Sequence, residues 1–149
     1  MNELGIYKRT QSLFMLLTSA WDYFEFQTDE SNSLKALKIH SDIPVLPVDM
    51  STGQRVCFAL ATLLASFLEN SKAPNIIILD EPVANLDDLY LLNMFDIIRQ
   101  LAIKETQIFF TTANESVAKL FKRKFGFMRD GFKSIEICDV GDEVIISDF

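Results

Sequence analysis

The sequence predicts a single α/β domain, and three observations lead to that class. Two short apolar runs, Ile76 to Leu79 and Gln107 to Thr112, have the length and the β-branched or aromatic content of buried strands. Apolar residues with helical spacing lie between them. A strand, a helix and a strand in this order predict a parallel pair joined by a crossover, within a largely parallel sheet flanked by helices.

Composition narrows the kinds of function that the chain could have. Acidic residues outnumber basic ones by 21 to 14, and the net charge is −7, so we expect any nucleic-acid contact to be local or made by a partner. Cys57, Cys138 and the one histidine, His40, are too few for a zinc site or a disulfide framework. A reducing cytoplasm is therefore the simplest location. No window approaches the roughly 18 apolar residues of a membrane span.

The first helix is expected within residues 1–30. Its apolar face would carry Leu13, Leu17, Ala20, Trp21 and Phe24. A secretory signal is the alternative for this start, but the apolar run is short and Asp22 and Glu25 follow it closely. Leu34 to His40 then predicts a strand, and Pro44 and Pro47 predict an extended approach to Met50.

The second helix is expected from Gly53 to about Asn70. Its sequence is apolar nearly all the way round, which predicts burial on most sides. Ser51 or Thr52 can cap its first turn. Since Ile76 to Leu79 is a continuous apolar run, the strand that follows is expected to be covered on both faces.

Two further helices and a hairpin follow. Asp87 or Asp88 can cap a helix from about Leu89 to Lys104. Asn114 can cap a short helix through Phe125, whose exposed side would carry four basic residues, Lys119, Lys122, Arg123 and Lys124. Such a cluster is either a solvated face or a contact for DNA or for an acidic partner. Residues 126–149 are expected to close the domain with a hairpin.

Two adjacent carboxylates, Asp80 and Glu81, follow the first predicted strand. The carboxyl ends of strands are where ligands of open α/β sheets bind. Because consecutive strand residues point to opposite faces, one acid can hold hydrated Mg²⁺ while the other orients a water. The structural alternative is an acid pair that caps the next turn.

The segment Ser51-Thr52-Gly53-Gln54 opens the second helix. Its hydroxyls, side-chain amide and unpaired backbone N–H groups lie at the positive end of a helix dipole, which is a natural anion site. Gly53 allows a phosphate to approach the backbone without meeting a Cβ. An ordinary cap with glycine in the first turn is the alternative.

The four motifs occur in a specific order across residues 47–125: MSTGQ, IIILDEP, Ala84 to Asp87, and Thr111 to Asn114. Together they resemble the C-terminal lobe of an ABC-type ATPase head, which has a P-loop NTPase fold. The likeness is greatest to the SMC and RecF group, including AAA-like ATPases of bacterial repair and phage defence. It implies ATP and Mg²⁺ as cofactors, and a signature motif that contacts ATP on the opposite protomer.

The resemblance also implies a role for each motif residue. Asp80 matches the metal-binding Walker B aspartate and Glu81 the catalytic glutamate, and Asn114 stands where many relatives have a switch histidine. Asn114 can donate a hydrogen bond to phosphate but cannot titrate near neutral pH, and it is equally suited to capping. Thr52 replaces the more common second glycine of the signature. The cofactor-binding set comprises signature and D-loop residues: Ser51, Thr52, Gly53, Gln54, Asn85 and Asp87.

The sequence contains no P-loop motif, GxxxxGK[ST]. The string from Gly126 to Ser134 has one residue too many before its lysine and follows a basic helix. We therefore expect half of an ATPase head, nearly inert alone, which needs a P-loop lobe or a second protomer and reaches DNA through the assembled complex. The resemblance places a coiled-coil stub at residues 1–30, where a plain packing helix fits equally well. A non-catalytic interaction module is the alternative function, and a transporter ATPase lobe is a third.

Overall fold

The computed structural model describes residues 3–19, 24–28, 34–38, 43–83, 86–140 and 143–148. The helices are α1 (Glu3–Thr18), α2 (Thr52–Glu69), α3 (Asp88–Ile103) and α4 (Glu115–Phe125), with short 3₁₀ helices at Pro47–Asp49 and Gly126–Gly131. The strands are β1 (Phe24–Thr28), β2 (Leu34–Lys38), β3 (Pro44–Val45), β4 (Ile76–Asp80), β5 (Gln107–Thr111), β6 (Ile135–Val140) and β7 (Glu143–Asp148). They form two compact units, Met1–Thr111 and Thr112–Phe149. That the whole chain forms a single domain stays a prediction, since the division into two units does not test it.

Three sheets organise these strands. In the first unit, β1, β2 and β3 form an antiparallel sheet, and β4 and β5 pair in parallel with α3 as the crossover between them. In the second unit, β6 and β7 form an antiparallel hairpin. The predicted α/β class, the parallel pair and the C-terminal hairpin are therefore confirmed, and the closing of one domain by that hairpin stays a prediction.

The first helix is shorter than predicted. It ends at Thr18, Ser19 has a positive φ of 53°, and Phe24 begins a strand instead of completing a helical face. Phe24 and Phe26 are buried whereas Glu25 between them is exposed, which is the two-residue alternation of a half-buried strand. This local alternation outweighs the helical spacing. Ala20 and Trp21, which the helical face included, lie outside the described residues, as does His40.

An aromatic cluster holds α1 against β1 and α2. The ring of Phe14 meets those of Phe24 and Phe26 edge-on, and Phe26 stacks on Phe58 with ring centroids 5.4 Å apart. At the opposite end of α2, Arg9 Nε donates to Glu69 Oε1 at 2.7 Å. Along α1, Arg9 thus lies beside the last residue of α2 and the later Phe14 beside Phe58, nearer the start of α2, so the two helices run antiparallel.

The helix α2 and the strand β4 were expected to be largely covered, and both expose apolar residues. The buried residues of α2 follow one stripe, and Leu63 on its other side is 50% exposed. In β4, Ile77 is buried but Ile78 is 69% exposed, and in β5 Phe109 is 50% exposed. The expectation was thus wrong for β4, since one of its faces packs against the unit and the opposite face remains open. In α2 the exposed residues are few, and most of its sides are buried or half-buried, as predicted.

The approach to α2 is also less extended than predicted. Extended backbone ends at Val45, and a 3₁₀ turn follows from Pro47. Proline is compatible with this turn because its fixed φ suits the first residues of a helix. The Asp49 carboxylate stabilises the turn by accepting the Leu46 N–H at 3.1 Å.

The second unit is built around α4. Val117 and Phe125 are its buried residues, and the Phe121 and Phe125 rings stack with centroids 4.1 Å apart. Gly126–Gly131 forms a 3₁₀ helix directly after α4, so this segment lacks the strand, loop and helix arrangement of a P-loop. Among the helices of the described residues, none is long and apolar enough to cross a bilayer.

Candidate functional site

The acid pair lies at the carboxyl end of the parallel strands. Asp80 is the last residue of β4 and is paired in register with Thr111, the last residue of β5. The Thr111 hydroxyl donates to Asp80 Oδ1 at 2.5 Å and accepts the Glu81 backbone N–H at 3.3 Å. One hydroxyl therefore joins the side chain of one acid to the backbone of the next.

Glu81 adopts a conformation that is rare for its residue type. Its φ is 45°, in the left-handed region that usually costs a non-glycine residue about 1–2 kcal/mol. Since β4 ends at Asp80, Glu81 is not a strand residue, and strand alternation does not determine its direction as we had expected. The direction of the Glu81 side chain is set instead by a bend with a positive φ. Such outliers occur often where function constrains the backbone.

The start of α2 forms a complete capping box. Ser51 Oγ accepts the Gln54 N–H at 3.2 Å, and Gln54 Oε1 accepts the Ser51 N–H at 3.0 Å. The predicted capping by Ser51 is thus confirmed, and both side chains are used locally. The box satisfies the N–H of Gln54, one of the first-turn N–H groups that have no carbonyl partner within the helix; those of Thr52 and Gly53 belong to the same set. The exposed Arg55, which donates to Thr52 Oγ1 at 3.2 Å, adds positive charge beside them.

The start of α3 lies beside the first turns of α2. Asp87 caps α3 by accepting the Tyr90 N–H at 2.8 Å, as predicted. Burial, and then the Asp87 charge, raise the pKa of the Cys57 thiol to about 12, and the same causes raise that of Tyr90. Asp87 is therefore close enough to interact with Cys57 on α2. Asn85, the other predicted D-loop residue, lies outside the described residues.

Asn114 belongs to the second unit and caps α4. Its side-chain Oδ1 accepts the N–H groups of Ser116 at 3.0 Å and Val117 at 3.2 Å. Its own N–H donates to Thr112 Oγ1 at 3.1 Å. The capping role is confirmed. The second role, as a phosphate contact in place of a switch histidine, stays a prediction and would depend on the side-chain amide nitrogen.

Thr111 contacts both acids directly, which its sequence motif alone does not reveal. The motif assigns Thr111 no contact, because the contact depends on the register between two strands. Counting supplies the signal that could have found it. Both strands have five residues, so aligning Ile76 with Gln107 pairs Asp80 with Thr111.

The donor set fits Mg²⁺ bound together with nucleotide phosphates. Within the described residues, no group of three or more His, Cys, Asp or Glu side chains could hold a metal ion. Mg²⁺ commonly takes one or two protein carboxylates and completes its shell with water and phosphate oxygens. The exposed Asp80 carboxylate, one oxygen of which accepts from Thr111, suits that kind of site. A cage made of protein ligands alone does not fit.

Comparison with known proteins relates these features to a family. Residues 6–115 match the family model described as "AAA domain, putative AbiEii toxin, Type IV TA system". A curated relative is the phosphate import ATP-binding protein PstB 3 of Streptococcus pneumoniae serotype 4, which is 31% identical over 107 residues. These residues are 72% of this chain and 38% of the relative, so the chain spans less than two fifths of that relative's length.

Solved structures of SMC proteins share the fold. An SMC ATPase studied for ATP-driven dimerization and DNA-stimulated activation has a TM-score of 0.69 at 18% identity, covering 99% of this chain and 84% of that one. The Pyrococcus furiosus Smc head domain with an extended coiled coil, bound to the C-terminal domain of ScpA, has a TM-score of 0.68 at 20% identity. That match covers 98% of this chain and 35% of the other.

The family match covers well over half of the chain, and the SMC heads share its fold. The motif order, the acid pair at the strand end and the capped helix all lie within or close to the matched segment. The chain therefore belongs to this AAA-domain family, and it shares the fold of SMC ATPase heads.

Proposed function

We propose that this chain is the signature and Walker B half of an SMC/RecF-like ATPase, which hydrolyses ATP when a P-loop lobe joins it. One observation carries the proposal: Asp80 and Glu81 lie at the exposed end of a parallel strand, and Thr111 holds both. Phosphoryl transfer depends mainly on positioning and charge stabilisation, so a lobe without a P-loop should bind nucleotide poorly and have little activity alone.

Each site residue then has a defined task. Asp80 would hold Mg²⁺ through its carboxylate, and Glu81 would orient the attacking water and accept its proton. The N–H groups of Thr52 and Gly53 would meet phosphate oxygens of ATP on the opposite protomer, with Ser51 and Gln54 shaping that helix end. When bound, Mg²⁺ with ATP supplies neutralisation of the phosphate charge.

The open face of the parallel pair supports the need for another lobe. Ile76 and Ile78 alternate with buried residues of β4, Phe109 alternates with half-buried residues of β5, and all three lie on one side of the strand pair. They are between 43% and 69% exposed. Grouped exposed apolar residues indicate a surface that a partner covers. We assign this face to the P-loop lobe, supplied by the same polypeptide or by another.

The cellular role that we propose is an ATP-driven DNA transaction in the cytoplasm, in repair or antiphage defence. The matched family description names a toxin, and one SMC relative is described by dimerization and DNA-stimulated activation, which support defence, a dimer and DNA. The local candidate for a DNA contact is the exposed side of α4, on which Lys122 and Arg123 lie about one turn after Lys119. Lys119 is also paired with Glu115 at 2.5 Å.

A non-catalytic interaction module is the second candidate. The absence of GxxxxGK[ST] from the sequence favours it, because such a lobe could dock on a partner without hydrolysing ATP. The two candidates differ in what happens when a P-loop lobe is supplied. Only the ATPase proposal predicts recovery of Mg²⁺-dependent hydrolysis.

The test is reconstitution with the P-loop lobe of the same head, produced as a separate chain. We expect Mg²⁺-dependent ATP hydrolysis from the mixture, and a loss of about 100-fold or more in Glu81→Gln, with ATP retained on the assembled head. Glu105→Gln is the matched control, since Glu105 is exposed just before the opposite end of β5. A mixture that binds without hydrolysing ATP would establish the interaction module instead. Unchanged turnover in Glu81→Gln would remove Glu81 from the mechanism.

A further inference from the structure

We propose that Thr111 is the positioning residue of the catalytic centre, and that its hydroxyl holds Glu81 in the conformation needed for hydrolysis. This inference rests on the proposed function, because it assigns a task within the same site. The hydroxyl acts in both directions: it donates to Asp80 Oδ1 and accepts the Glu81 N–H. Serine and threonine are the aliphatic side chains able to combine these two bonds in one atom.

The position of Thr111 in the sheet explains why it can do this. The parallel register places it directly across from Asp80, at the last step of both strands. Its β-branched side chain has restricted χ1 freedom, so the hydroxyl is oriented before any ligand arrives. The chain leaves the strand immediately after Asp80, and the first N–H beyond the strand is the one that Thr111 accepts.

The positive φ of Glu81 is the conformation that the hydroxyl supports. Left alone, a glutamate would relax from a φ of 45° toward an ordinary conformation and turn its carboxylate elsewhere. The hydrogen bond from the Glu81 N–H opposes that relaxation on the backbone itself. The bond to Asp80 meanwhile fixes the plane of the carboxylate that would face the metal. Thr111 thus acts through Asp80 and Glu81 and needs no contact with nucleotide.

The chain offers a matched control at the other end of the same strand. Thr106 lies just before β5, and its hydroxyl donates to Asn75 Oδ1 at 3.0 Å beside the start of β4. Both threonines therefore tie β4 to β5 by one hydroxyl. Thr106→Val and Thr111→Val remove the same group with little change in shape, but only Thr111 touches the acid pair.

The kinetic test uses the reconstituted head. We expect Thr111→Val to lower kcat about 10- to 100-fold and to change the KM for ATP less than about threefold, because transition-state positioning is lost and ground-state binding is retained. Thr111→Ser should recover kcat to within about threefold of the original, because the hydroxyl returns. Thr106→Val should leave kcat near the original value. Equal kcat values in Thr111→Val and Thr106→Val would overturn the proposal while leaving the ATPase function intact.

A thermal cycle on the chain alone tests the same contact without activity. Thr111→Val is expected to lower the unfolding midpoint by about 2–4 °C. In the Glu81→Gly background the loss should be larger, because removing the hydroxyl lets Glu81 relax and recover its backbone strain, whereas glycine carries no strain to recover. Equal losses in both backgrounds would overturn the proposal. If the reconstituted wild-type head binds its partner but hydrolyses no ATP, the proposed function fails, and this cycle still decides whether Thr111 holds Glu81.

Discussion

Replacing Glu81 by glycine is expected to stabilise the chain, although it removes the carboxylate that we assign to catalysis. The perturbation is best measured against Glu81→Ala, since both variants lack the carboxylate and differ only by a Cβ. A Cβ at a φ of 45° costs about 1–2 kcal/mol, which glycine avoids. Glycine also lowers the free energy of unfolding by about 0.4–1 kcal/mol, because it increases the entropy of the unfolded chain. The net expectation is that the Glu81→Gly variant is more stable than the Glu81→Ala variant by about 0.5–1 kcal/mol.

Two control sites give this difference its meaning. Glu105 has a φ of 65° and follows α3 in a Schellman motif, in which its N–H donates to the Ala102 carbonyl and the Thr106 N–H to that of Leu101. At that position the glycine variant should again be more stable than the alanine variant by about 0.5–1 kcal/mol. Ala59 is exposed within α2, and Ala59→Gly should instead cost about 1 kcal/mol. The sign of the glycine effect should therefore follow φ.

Urea denaturation at fixed pH measures all of these variants. If Glu81→Gly proves less stable than Glu81→Ala by the amount seen for Ala59→Gly, then Glu81 is not held in the left-handed region, and the reasoning about strain fails. In the reconstituted head, Glu81→Gly should lose hydrolysis, whereas Glu105→Gly should keep it. Stability and activity would then change in opposite directions at Glu81 alone.

Three further predictions concern the cysteines and the open sheet face. Iodoacetamide at neutral pH should modify the exposed Cys138 but not the buried Cys57, and mass spectrometry of the native chain would show any exception. Burial first, and then the Asp87 charge, raise the pKa of the Cys57 thiol from 9.0 to about 12, so the folded chain holds this proton more tightly than the unfolded one. That stabilisation is complete below pH 9.0 and lost as the pH rises toward 12, and Cys57→Ala should remove this part of the alkaline dependence in denaturation experiments. The Ile78 side chain is 69% exposed, so Ile78→Lys should change the free energy of unfolding by less than about 0.5 kcal/mol. In calorimetry the same variant should no longer bind the P-loop lobe. Ile77 is only 6% exposed, so Ile77→Ala should instead lower the free energy of unfolding by about 2–5 kcal/mol. Full binding by Ile78→Lys would show that the lobe docks elsewhere.

The sequence predicts those parts of the fold that local chemistry determines. The caps at Ser51, Asp87 and Asn114 are found as expected, because each depends on a side chain and an N–H two or three residues away. The parallel strands follow from two apolar runs separated by a helix. By contrast, the predicted end of the first helix was wrong, because the pairing of β1 with β2 determines the conformation of Phe24.

The candidate site divides in the same way. Its acids can be read from the sequence, since a carboxylate pair directly after an apolar run marks a strand end. The hydrogen bonds of Thr111 join residues 30 and 31 positions apart, so they depend on a register that no local pattern contains. The positive φ of Glu81 is likewise a result of how the chain leaves the sheet. Sequence therefore identifies the reactive groups, and tertiary structure supplies what orients them.

The failed expectation of burial bears most directly on function. The run from Ile76 to Leu79 has the composition of a strand that is covered on both faces, yet Ile76 and Ile78 are exposed in the described structure. Water-facing positions of a half-covered strand are normally polar. Apolar residues at two of the three exposed positions of β4, with Phe109 beside Ile78 on the next strand, match a sheet whose second face is covered in the functional protein. The same strand ends at Asp80, so whatever covers that face would also lie next to the acid pair, which is where the P-loop lobe of the proposed function would bring its phosphates.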